Sequence, residues 1–110
     1  EKNGMLGGTM TVAGVNAPAH FFAWGKQVIA GIGWELMCQT WKEFGAPIPT
    51  PEQGTRHLGM DIATFAAVCD QAVLQSGTEL LFHAMPASAG FADGRWRVVF
   101  DQGCPPCDCR

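Results

Sequence analysis

Residues 61–100 carry the pattern that most narrows what this chain can fold into. Asp61 offers a carboxylate for a helix cap, and Ile62, Phe65, Ala66, Cys69 and Val73 follow at offsets of three and four, which makes one helical face apolar. Ser76-Gly77 ends the period. ELLFHAM, residues 79–85, is then an apolar run of strand length, the composition of a strand buried on both faces in a parallel sheet. Asp93-Gly94 precedes RWRVVF, where Trp96, Val98 and Phe100 alternate with Arg95, Arg97 and Val99, as in a hairpin strand with one wet face. Helix, glycine and strand in that order form half of a βαβ unit, so the expected class is α/β.

Upstream the signals are sparser. Residues 1–19 contain Gly4, Gly7, Gly8 and Gly14 and no helical period, and read as an extended loop with close backbone approaches. From Val28 the apolar positions Ile29, Ile32, Leu36, Met37, Trp41 and Phe44 take helical spacing until Gly45 and Pro47, which predicts a helix over 33–44. Residues 46–59, with three prolines and two glycines, form an irregular connector, and the tail DQGCPPCDCR has no core residues.

Composition excludes several classes. Charged residues make up 15% of the 110, below the roughly 25% of average domains, while 47% are hydrophobic, a balance that suits neither disorder nor a coiled coil. Seven basic against ten acidic side chains leave a net charge of −3 and no basic stripe for nucleic acid. No apolar run nears the roughly 18 residues of a membrane span. The start at Glu1, with no signal-peptide pattern, and the absence of a first strand lead us to expect an internal fragment of a longer chain, inactive in isolation. Five cysteines, two of them (Cys38 and Cys69) inside apolar helical patterns, suit a reducing compartment, with the cytoplasm favoured.

Three short motifs carry possible chemistry. Gly31-Ile32-Gly33 lacks the third glycine of a dinucleotide turn, since Leu36 stands there, and reads as the flexible start of a helix. His20, His57 and His83 share no ligand spacing, and only His20, beside Phe21 and Phe22, suggests a proton-transfer group. Cys104, Cys107 and Cys109 offer three thiolates where structural zinc takes four ligands. A small Cys-rich metal-binding or structural module, with residues 104–110 as its tail, is therefore the alternative reading, and no metal site is assigned.

EKNGMLGGTMTVAG, residues 1–14, is more specific. It resembles the stretch after the second Rossmann strand in FAD-dependent oxidoreductases of the glutathione-reductase-like superfamily, with an E-(R/K)-x-x-x-LGG-x-x-T-like start. The likeness extends over roughly residues 1–100 through the helix and strand expected over 61–82. It implies a partial Rossmann-like FAD-binding domain over residues 1–110, with a helix–strand unit and a β-hairpin, lacking the first strand and the GxGxxG turn. It also implies an oxidoreductase in which flavin carries the hydride, acting on a small molecule not named by the sequence.

The resemblance assigns roles by position. Glu1, with the adjacent Lys2, stands where an acid accepts both ribose hydroxyls of the adenosine half. Gly7 and Gly8 would let backbone N–H groups approach the pyrophosphate, and the hydroxyls of Thr9 and Thr11 would donate to phosphate or ribityl oxygens. Ala13 and Gly14 would pass beneath the flavin ring, and the backbone of Ala84 and Met85 would bracket the adenine.

Overall fold

A computed structural model describes residues 1–18, 20–53 and 59–101. They form two compact units, one of Met5–Glu79 and one of Glu1–Gly4 with the chain from Leu80 onward.

The first unit holds a short 3-10 turn at Gly8–Met10, strands β1 (Phe22–Ala23) and β2 (Lys26–Gln27), and helices α1 (Ile32–Phe44) and α2 (Ile62–Gln75). Both helices lie close to their expected bounds because their stop signals are local. Gly45 takes a left-handed φ of 77° and its N–H reaches back to the carbonyls of Trp41 and Lys42. At the start of α2, Asp61 accepts from the backbone N–H and the hydroxyl of Thr64, at 2.8 and 2.7 Å. Those bonds hold the Asp61 carboxyl below its ordinary value of 3.8, the Thr64 side chain contributing most.

Aromatic rings fill the core between the helices. Trp34 meets Phe21, Phe22 and Trp41 with ring centroids 5.1, 5.2 and 5.6 Å away, in tilted or edge-on geometry. Met37, Met60, Phe65 and Cys69 complete this cluster, and Leu6 and Met10 from the N-terminal loop pack against it. Trp41 is 2% exposed. Its indole N–H donates to the Gly59 carbonyl at 2.9 Å, which joins α1 to the residues leading into α2.

The β1–β2 hairpin was not foreseen. Trp24 and Gly25 at its turn have φ of 50° and 69°, the paired left-handed geometry of a type I′ turn, which a Trp-Gly pair signals poorly. Residues 1–18 depart from the expected extended loop between Asn3 and Ala13, where the chain bends, makes the 3-10 turn at Gly8–Met10 and turns again through Thr11–Ala13.

The second unit corrects two expectations. Glu79–Ala84 is not a strand, because His83 adopts a φ of 53° and breaks the extended run. The strand is β3 (Met85–Ala92), paired antiparallel with β4 (Arg95–Asp101). A two-residue turn joins the residues that directly flank it, and Asp93-Gly94, with φ of 53° and 73°, sets Ala92 opposite Arg95 and Phe91 opposite Trp96. The register shifts between Pro86 and Ser88, where proline cannot donate to the ladder. Nor does β4 have a single wet face, since every residue of both strands is exposed. The chain is thus mixed helix and strand, and both observed sheets are two-stranded and antiparallel.

Two measurements test this picture. Trp41→Ala should cost about 3–5 kcal/mol in urea unfolding, and Trp41→Phe, which loses the bond to Gly59 but keeps a ring, distinctly less. Because folding lowers the Asp61 pKa, its stabilisation is complete above the ordinary value of 3.8 and fades as pH falls through the lower folded value. Thermal melts should therefore lose that component in acid for the wild type and show no such component in Asp61→Asn, which still caps the helix.

Candidate functional site

The loop Met5–Val15 is shaped from within. Thr11 is buried, and its hydroxyl donates to the Leu6 carbonyl at 2.6 Å and lies 3.2 Å from that of Gly8. Val12 N–H also donates to the Gly8 carbonyl at 2.8 Å, and Val15 N–H to the Thr9 carbonyl at 3.2 Å. The Thr11 hydroxyl thus closes the loop, while Thr9 lies exposed. Ala13 and Gly14 are exposed as well, Gly14 with a φ of 71°.

The two adjacent glycines do different things. Gly7 has a φ of 98°, and a Cβ there would fall 2.4 Å from Thr11 Cγ2 and 3.2 Å from Phe65 Cε1. Its missing side chain serves packing. Gly8 has a φ of 55°, and a Cβ there would meet nothing within 4 Å. Among the described residues the backbone N–H groups of Gly8 and Thr9 have no acceptor, as expected for the opening of a helical turn.

In the other unit, Glu1 and Ala84 come together. The terminal amino group of Glu1 donates to the Leu81 carbonyl at 2.9 Å, and the Glu1 carbonyl accepts from Ala84 N–H at 3.1 Å. Ala84 is fully buried, and its N–H is already engaged by that bond. Lys2 and Met85 are exposed. The Glu1 carboxylate accepts from Asn3 twice at Oε1, from the backbone N–H at 2.9 Å and from Nδ2 at 2.7 Å. These bonds, the backbone one foremost, lower the Glu1 pKa. Asn3 escaped the sequence reading, although an amide two residues beyond an acid is a spacing at which side chain and backbone bond locally.

A family model for FAD dependent oxidoreductases matches residues 1–105. The chain belongs to the FAD dependent oxidoreductase family. Comparison with curated proteins and with solved structures returned no match. The family is FAD dependent, and its members are oxidoreductases.

The donors on the chain suit that cofactor. Free amides at Gly8 and Thr9, with open space at Gly8, can meet an anionic phosphate, and an ionised carboxylate can accept hydroxyl hydrogens. The remaining candidates offer less. Cys38 is half-buried and Cys69 buried, and desolvation raises both thiols, which keeps them protonated and unreactive. Among the described residues no group of three or more His, Cys, Asp or Glu side chains is placed to hold a metal. His57, Cys104, Cys107 and Cys109 lie outside the described residues. No helix among those residues is long and apolar enough to cross a membrane.

The contrast between the glycines is measurable. Gly7→Ala should cost about 2–5 kcal/mol, because strain at positive φ adds to a clash with Thr11 and Phe65. Gly8→Ala should cost only the strain, about 1–2 kcal/mol. Urea unfolding of the two variants gives the comparison.

Proposed function

We propose that this chain forms part of the FAD-binding region of an oxidoreductase, a Rossmann-like element in which Glu1 accepts the ribose hydroxyls of the adenosine half. The observation that carries the reading is the Glu1 carboxylate, ionised and with Oε2 open, at a backbone position bonded on both sides to the segment Leu81–Ala84. Those two backbone bonds fix the main chain at Glu1 against Leu81–Ala84, so that its carboxylate projects from a defined place. Lys2, adjacent and exposed, adds a positive charge near an anionic ligand.

The loop, in the larger unit, offers donors of its own. Gly8 and Thr9 offer backbone N–H groups to the pyrophosphate, and the exposed Thr9 hydroxyl donates to a phosphate or ribityl oxygen. Gly7 and Thr11 serve the cofactor indirectly, by closing the loop that presents those donors. Ala13 and Gly14, small and exposed, leave room beneath the flavin ring. With the Ala84 N–H engaged by Glu1, the adenine contact falls to the Ala84 carbonyl and the Met85 backbone. When bound, flavin supplies the hydride chemistry, and this chain's residues hold and orient it against a small-molecule substrate.

In the flavin-loaded protein, Glu1→Ala should weaken FAD retention by about tenfold or more, because two hydroxyls lose a charged acceptor. Gly8→Val should yield folded protein largely stripped of flavin, since a branched side chain enters the open space at Gly8. Gly33→Val, also facing open space but in α1, should keep its flavin. Flavin absorbance after dialysis, with circular dichroism as the folding control, checks all three. Equal flavin content in the Gly8 and Gly33 variants would remove the loop from the site.

A further inference from the structure

Asn3 gives the Glu1 carboxylate a defined orientation. The Asn3 backbone N–H and Nδ2 donate to the same oxygen, Oε1, at 2.9 and 2.7 Å. A carboxylate oxygen has two lone pairs, so Oε1 is filled and Oε2 keeps both of its own. The main chain is tied down from the other direction. Glu1 bonds to Leu81 and Ala84, and His83 N–H donates to the Asn3 carbonyl at 3.3 Å. Gly4 then allows the chain to pass His83, for a Cβ there would lie 2.9 Å from the imidazole Cε1 and Nε2. An exposed glutamate otherwise samples several rotamers, and ordering it on binding opposes affinity.

We infer that Asn3 is a positioning residue of this site, which holds Glu1 Oε1 and leaves Oε2 as the oxygen presented to the two ribose hydroxyls of an adenosine. The inference rests on the reading that Glu1 meets the ribose. The same bonds favour the ionised carboxylate, the form that accepts two hydroxyl hydrogens and donates none.

The test is a double-mutant cycle on FAD affinity, with the apoprotein titrated with FAD by flavin fluorescence and each fold checked by circular dichroism. Asn3→Ala keeps the backbone bond and deletes the one from Nδ2, and should weaken FAD roughly tenfold beside an intact Glu1. In the Glu1→Ala background the same change should have less than about a twofold effect, because the group Asn3 positions is gone. Asn3→Asp, which sets a second carboxylate against Glu1, should weaken binding more than Asn3→Ala, and Asn3→Ser, with a shorter hydroxyl donor, less. Asn3→Ser also carries the cycle if Asn3→Ala does not fold. Equal losses from the Asn3 change in both backgrounds, or no loss beside an intact Glu1, would overturn the inference. Wild-type affinity in Glu1→Ala alone would instead overturn the ribose reading, and the inference with it.

Discussion

The larger unit depends on Trp41. Its ring packs edge-on against Trp34, which meets Phe21 and Phe22, and its N–H bonds to the carbonyl of Gly59, two residues before the cap of α2. One side chain therefore joins the hairpin, both helices and the end of the connector. Apolar burial supplies the strength and the indole bond supplies the position, since a buried polar atom tolerates few arrangements. Leu6 and Met10 reach the same cluster, so the N-terminal loop is anchored to this core at two points.

That anchoring explains how a glycine-rich loop keeps a shape. Four glycines within fourteen residues carry a high conformational entropy when unfolded. The loop offsets it by burying Leu6, Met10 and Thr11 at least in part and by fitting Gly7 against Thr11 and Phe65. Between those fixed points the exposed amides of Gly8 and Thr9 are held on a firm base. If those amides meet a ligand, as proposed above, donors arranged in advance lower the cost of ordering them on binding.

The smaller unit has a different economy. Its hairpin is held by backbone pairing, the paired left-handed turn and one ring contact, Phe91 with Trp96 at 5.3 Å, with no buried position along either strand. Among its described residues the buried point is Ala84, beside Glu1. The hydrogen bonds that fix Glu1 thus lie where the backbone of Glu1–Asn3 meets that of Leu81–Ala84, with a small, fully buried residue at the junction.

Much of this was legible in the residues. Asp61 and the apolar period after it are local signals, as are Gly45 and Asp93-Gly94, and each marks a boundary the structure keeps. The Glu1, Gly7-Gly8 and threonine pattern was enough to suggest the family, by its resemblance to the family's E-(R/K)-x-x-x-LGG-x-x-T-like stretch. The misreadings share one cause, that apolar character does not specify a partner. ELLFHAM is as hydrophobic as a buried strand, yet a left-handed His83 ends its extension, and the strand begins at Met85 instead. What the sequence determined by itself was therefore the local grammar of helices, caps and turns, together with membership of a flavin-dependent family. Only the tertiary structure decided that Gly7 serves packing while Gly8 faces open space, that Thr11 points into the loop, and that Asn3 holds Glu1, because each of these depends on atoms brought together through space.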